Sequence, residues 1–174
     1  MTPDPQPWSA PLRLSEVQRG ARTLPLTADD ATRRRIAELL DLLSLSRFEG
    51  ELSVAPWLDG AEVRAHWSAD LQQTCSVTAE PFDSTLKGEF TVRAVPAGSH
   101  AAPAADAEIS IDPDVEDPPD VLEGETLDLG AYLVEHLALE LDPFPRAPGA
   151  EFTAPDEPPE PSPFAKLAAL KGDA

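Results

Sequence analysis

Apolar and polar residues change rhythm along this chain, and the changes divide it into elements. From Ala61 to Cys75 the two alternate: Val63, Ala65, Trp67, Ala69 and Leu71 share one parity, and Glu62, Arg64, His66, Ser68 and Asp70 share the other. Strand side chains point to opposite faces with period two, so the run predicts a half-buried antiparallel strand with one wet face. Thr85–Val95 repeats the pattern, with Leu86, Gly88, Phe90, Val92 and Ala94 on one side. Arg47–Val54 alternates in part and is expected to stop before Pro56, while Asp59-Gly60 reads as a two-residue hairpin turn. These runs together predict a meander of several strands. Shorter strands are expected at Pro11–Leu14, at Glu108–Ile111, and at Ala21–Leu26, where Pro25 demands a sheet edge.

Two segments carry the helical period instead. Ile36, Leu39, Leu40 and Leu43 fall at i, i+3, i+4 and i+7, which predicts one buried face of a helix over Ala28–Leu43. Ahead of it, Thr27-Ala28-Asp29-Asp30 has capping-box spacing with Asp in place of Glu, and acids there suit the helix dipole. Leu129, Leu133, Leu137 and Leu141 recur every four residues behind Asp128, a candidate N-cap, and Asp142-Pro143 closes that second helix. Ser162-Pro163 sets a cap and a first-turn proline before a short helix in Phe164–Leu170.

The expected fold class is α+β: an antiparallel meander of about four to six strands packed with two main helices, between proline-rich disordered termini. Trp67, Leu71, Phe90, Val92, Leu133 and Leu137 are the expected core. Residues 1–10 are read as a flexible N-terminal segment, 11–146 as a single α+β domain, and 147–174 as a proline-rich tail with a short terminal helix.

Charge alters this picture most. The 174 residues hold 13 basic and 32 acidic side chains, a formal net charge of −19. Met1–Cys75 carries 8 basic and 11 acidic residues, net −3, and Ser76–Ala174 carries 5 and 21, net −16. Between Arg93 and Arg146 no Lys or Arg occurs, while thirteen Asp and Glu do. Such acidity opposes nonspecific attraction to nucleic-acid phosphate and to anionic lipid, and makes a basic protein the electrostatic complement. Keeping the chain soluble is an equally good account of the same charge. Met1–Pro11 lacks the basic and apolar regions of a secretory signal, and no apolar run approaches the roughly 20 residues of a membrane span. The expected location is the cytoplasm.

Candidate chemistry is sparse. The chain has no P-loop, GxGxxG, GxSxG or HExxH motif. Its histidines, His66, His100 and His136, read as surface or boundary residues. Cys75 is the one cysteine, so no intramolecular disulfide forms, and on a continuous strand it would face away from His66. One Cys and three scattered His without CxxC or HxxxH spacing argue against zinc, and the acids of Asp106–Asp128 lack the calcium-loop pattern. No cofactor or metal is expected, and the chain reads as a binding protein rather than an enzyme. Arg33, Arg34 and Arg35, with Arg47 nearby in sequence, are candidate RNA contacts on the less acidic half, although helix-surface charge accounts for them too.

One stretch, Ala69-Asp-Leu-Gln-Gln-Thr-Cys-Ser-Val-Thr-Ala-Glu-Pro-Phe82, resembles the YceD family, in which a strand ends in a Q-x-C-x-x-[CT]-x-x-P-[FV]-like motif and leads into another strand. Leu127-Asp-Leu-Gly130, Glu135 and Leu137–Arg146 are similar to the family's second block in its alphaproteobacterial form, and Pro163–Lys171 to its ending. The motif positions are Gln73, Cys75, Thr78, Pro81, Asp128, Glu135, Pro143, Pro145 and Arg146. The resemblance implies a part in accumulation of large-subunit ribosomal RNA and no established enzyme activity. It also implies a gene beside that of a small, basic large-subunit ribosomal protein. Other members carry a second cysteine where this chain has Thr78, and further cysteines where it has Asp142–Arg146, so no zinc site of theirs transfers here. A basic ribosomal protein or a pre-ribosomal particle is the expected partner, with direct RNA binding through Arg33–Arg35 as the alternative. No membrane or small-molecule ligand is expected.

Overall fold

Both rhythms become regular structure in the computed structural model, which describes residues 6–103 and 117–152. In chain order the elements are β1 (Pro11–Arg13), α1 (Leu14–Val17), β2 (Arg22–Thr27), α2 (Asp30–Leu39) and β3 (Ser44–Trp57). There follow β4 (Gly60–Thr74), β5 (Pro81–Pro96), β6 (Asp120–Leu122), β7 (Thr126–Asp128) and α3 (Leu129–Glu140). The architecture is α+β, as the sequence predicts. Strands β2, β3, β4 and β5 form the expected antiparallel meander, and β6 adds a fifth strand that runs parallel to β5. β1 and β7 make a separate two-stranded ladder.

The sheet is central because its middle strand is cleanly two-sided. Ala61, Val63, Ala65, Trp67, Ala69 and Leu71 of β4 are all buried, while Arg64 and His66 on the opposite parity are exposed. In a row across the three long strands Gly50 pairs with Trp67, and Trp67 pairs with Gly88. The Trp67 ring lies over Gly88, where an added Cβ would meet it at 2.6 Å. Leu133 of α3 fills the space above Gly50, where a Cβ would come within 2.8 Å of its Cδ2. Phe48 stands edge-on between Trp8 and Trp67, with ring centroids 5.3 and 6.0 Å away. Trp8, from the stretch expected to be flexible, is thereby part of the core. Of the expected core residues, Trp67, Leu71, Phe90, Leu133 and Leu137 are buried, and Val92 is half-buried against them.

Four local expectations are corrected. α2 begins two residues later than expected: its N-cap is Asp29, whose Oδ1 accepts the Thr32 N–H at 2.8 Å, while Thr27 ends β2. It also ends early, since Asp41 takes a left-handed φ of 53°. The buried seat is therefore Thr32, Ile36 and Ala37, with Leu40 half-buried, and Leu39 and Leu43 are exposed. The β3–β4 hairpin has its two-residue loop one position earlier than expected, at Leu58-Asp59, because Trp57 pairs with Gly60. Gly60 is needed for space, since a Cβ there would lie 1.9 Å from the Ala94 carbonyl oxygen. Finally, β3 continues through Pro56 to Trp57. Pairing with β2 ends at Val54, so no neighbour on that side needs a donor from the proline. The strand expected at Glu108–Ile111 and the helix at Phe164–Leu170 lie outside the described residues. Among the described residues no helix is long and apolar enough to cross a membrane.

Two substitutions test this packing by urea denaturation. Trp8→Ala should cost about 3 kcal/mol, the usual loss for a large aromatic removed from a core, and a loss below about 1 kcal/mol would place Trp8 outside it. Gly60→Ala should cost about 2–3 kcal/mol, because the added methyl meets backbone that cannot rotate away.

Candidate functional site

β4 ends at Thr74, and the six residues that lead into β5 fold back on themselves. The Cys75 N–H donates to the Glu80 carbonyl, and the Ala79 N–H to the Cys75 carbonyl, with Ala79 at a positive φ of 57°. Cys75 is a buried free thiol inside this loop. The Thr78 hydroxyl hydrogen-bonds the Cys75 sulfur, and the N–H groups of Val77 and Ala147 donate to it at 3.4 and 3.3 Å. The Thr78 hydroxyl first, and these backbone donors after it, hold the thiol down from 9.0 to about 7, against the opposing pull of burial. His66 is remote from this chemistry, exposed on the sheet's outer face beside Glu89 at 3.3 Å.

The same loop reaches the end of α3. The Ser76 N–H donates to the Pro145 carbonyl at 2.8 Å, and its hydroxyl to the carbonyls of Pro145 and Phe144 at 3.0 and 3.3 Å. Asp142 turns the chain there, since its Oδ1 accepts the Phe144 N–H at 2.8 Å. The two motif blocks, about seventy positions apart, thus meet through main-chain bonds. Gln73, which pairs with Phe82, and Pro81, the first residue of β5, flank the junction on one side, and Pro143, Pro145 and exposed Arg146 on the other. Between this junction and the α2–β3 turn lies a groove of about 600 Å³, lined by Leu43, Gln73, Ser76, Leu141, Pro143 and Pro145. Leu43 and Phe144 leave apolar surface exposed at this end.

The other end of α3 is held by Asp128. Its Oδ1 accepts the N–H groups of Ala10, Gly130 and Ala131 at 2.9, 3.1 and 3.2 Å, and its Oδ2 the Ser9 hydroxyl at 2.6 Å. This confirms Asp128 as N-cap and adds a second task, fastening the segment that leads into β1 to the helix start. Glu135 is exposed on the side of α3 that faces β5 and β6, in a cleft of about 570 Å³ shared with Asp117, Asp120, Tyr132, His136 and Arg93. The Tyr132 hydroxyl donates to Asp120 at 3.0 Å, and burial together with that carboxylate raises its pKa. His136 stacks flat on Phe90 at 3.8 Å, and burial lowers its pKa against the pull of Glu135, Glu140 and Asp120.

The arginines are dispersed. Arg47 donates to Asp70 at 2.7 Å, to Glu49 at 2.5 Å and to Ser68 at 2.9 Å, and these bonds raise its pKa. Arg33 is bound to the Ala28 carbonyl and to Asp30, and Arg35 to the Thr32 hydroxyl. Arg33 and Arg34 line a groove of about 470 Å³ beside Leu42 and Leu43, which Arg35 and Arg47 do not reach. Among the described residues no group of three or more His, Cys, Asp or Glu could hold a metal ion. Ser76, Ala147 and the Tyr132–Asp120 bond carried no signal in the sequence, because each contact joins segments whose meeting depends on the whole fold.

Replacing Cys75 by Ala should destabilise the fold, since the Val77 and Ala147 N–H groups lose their acceptor. The deficit should also depend on pH. The folded thiol ionises near 7 and the unfolded one near 9, so between these values the unfolded state binds more protons and stability rises with pH. Urea denaturation should show the gap between wild type and Cys75→Ala widening across that window and staying flat below it.

A model of the family described as large ribosomal RNA subunit accumulation protein YceD matches residues 63–171. That span takes in β4 from Val63 on, the Cys75 loop, β5, α3 and the junction between that loop and the end of α3. Comparison with curated proteins and with solved structures finds no match.

Proposed function

The chain belongs to the YceD family of large-subunit ribosomal RNA accumulation proteins, and from that premise we propose that it acts by binding, with the acidic face of α3 and β6 set against a basic ribosomal protein. The observation that carries this reading is the convergence of Asp117, Asp120 and Glu135 on one cleft, whose Arg93 is already bonded to Glu62, within a span from Arg93 to Arg146 that holds thirteen acids and no Lys or Arg between its ends. Charge of one sign on one face steers a partner of the opposite sign and masks it while bound. The first half supplies little to compete with this, since Arg22, Arg33 and Arg47 are each paired with a carboxylate of the same chain. An RNA surface built on Arg33, Arg34, Arg35 and Arg47 would have to break several of those bonds to form.

Pull-down with the full chain, at physiological and at high salt, should recover a basic large-subunit protein in a salt-sensitive manner. The double change Asp117→Lys and Glu135→Lys should weaken the complex about ten-fold or more. Recovery of no ribosomal protein at either salt would sink the proposal. Filter binding to large-subunit RNA that falls when Arg33, Arg34 and Arg35 become Ala would favour the RNA reading in its place.

A further inference from the structure

β5 is sixteen residues long, yet β6 pairs with its outer edge only at Ala94–Pro96. Among the described residues no strand adds to that edge between Pro81 and Arg93. An open edge of this length presents a row of main-chain donors and acceptors to whatever strand fits them. We infer that a second copy of this chain fits them, pairing antiparallel through β5 about a twofold axis at Gly88.

Charge selects the register. Thr85, Lys87, Glu89 and Thr91 all stand on the exposed face of β5. A twofold axis normal to the sheet keeps both polar faces on one side. Centred on Gly88, it sets Lys87 opposite the partner's Glu89, Glu89 opposite the partner's Lys87, and Thr85 opposite the partner's Thr91. Opposite charges directly across a ladder stabilise it, and like charges oppose it. The neighbouring centres fail this test. On Lys87 or Glu89 the axis would oppose that residue to itself. On Leu86 it would set Asp83 against Glu89, and on Phe90 it would set Lys87 against Arg93.

The buried face agrees with the same centre. Half-buried Leu86 comes opposite the partner's Phe90, so the apolar layer continues from one sheet to the next. Gly88 at the axis carries no side chain, and Trp67 of its own copy already covers it. The ladder spans Thr85–Thr91 and stops short of Arg93, beside which Asp117 and Pro118 stand. His66 lies 3.3 Å from Glu89 on the exposed face and forms part of the same charged row.

Sedimentation velocity of the full chain across a range of concentrations should show a monomer–dimer equilibrium. Lys87→Glu and Glu89→Lys should each weaken the dimer about ten-fold, and the double exchange K87E/E89K should restore it, because only this register converts two repulsive pairs back into attractive ones. Hydrogen exchange on the wild type gives a readout that needs no variant: the alternate amides of Thr85–Thr91 that face away from β4 should gain protection as concentration rises. A monomer at every concentration, or a dimer indifferent to both exchanges, overturns the inference. So does protection of those amides that is already complete in the monomer, which would mean that the chain covers its own edge.

Discussion

The row Gly50–Trp67–Gly88 sets the spacing on which the rest of the molecule depends. Trp67 is too large to share its level of the sheet with an ordinary residue at Gly88, and Gly50 on its other side leaves room for Leu133. The ring lies against Gly88, and the space over Gly50 is left for Leu133, which seats α3 on the sheet. Phe48 and Trp8 close the layer edge-on, so the amino-terminal segment is recruited by the same aromatic cluster. A side chain on Gly88 would collide with the Trp67 ring, and one on Gly50 would displace the Leu133 methyls that seat α3.

The fastenings of α3 explain why the motif residues lie where they do. Asp128 binds the start of α3 to Ser9 and Ala10, and the Cys75–Ser76 loop binds the chain just past its end. Between them α3 lies across the sheet at one height, with its acidic side turned to the β5–β6 edge. Several family positions thus serve to hold the helix, and Glu135 belongs to the surface so presented.

What the sequence made legible follows the locality of each signal. The parity of β4 is strict because one of its faces is buried from Ala61 to Leu71, and a leucine every fourth residue behind Asp128 allows few readings besides a capped helix. Misreadings arose where a local pattern had a distant cause. Asp59-Gly60 carries a turn signal, but Gly60 answers to the Ala94 carbonyl rather than to the turn. Leu43 belongs to an apolar stripe that the left-handed turn at Asp41 cuts off, and Leu39, at the last position of α2, faces out. Trp8 sits among prolines, and only the aromatic partner at Phe48 reveals its place. The motif positions stand in the sequence in one chain order, whereas the bonds from Cys75 and Ser76 to residues 144–147 exist only once α3 has crossed the sheet.

The segment after α3 is gripped by its main chain alone. Ser76 takes the carbonyls of Phe144 and Pro145, the Cys75 sulfur takes the Ala147 N–H, and Pro143 and Pro145 have no N–H to place. None of these bonds reads a side chain of residues 143–147, and Phe144 and Arg146 accordingly face outward. Anchorage and display are therefore separate properties of this stretch. Its outward residues can change identity without disturbing the clasp that holds it, so the surface this end presents can vary while the scaffold beneath stays the same.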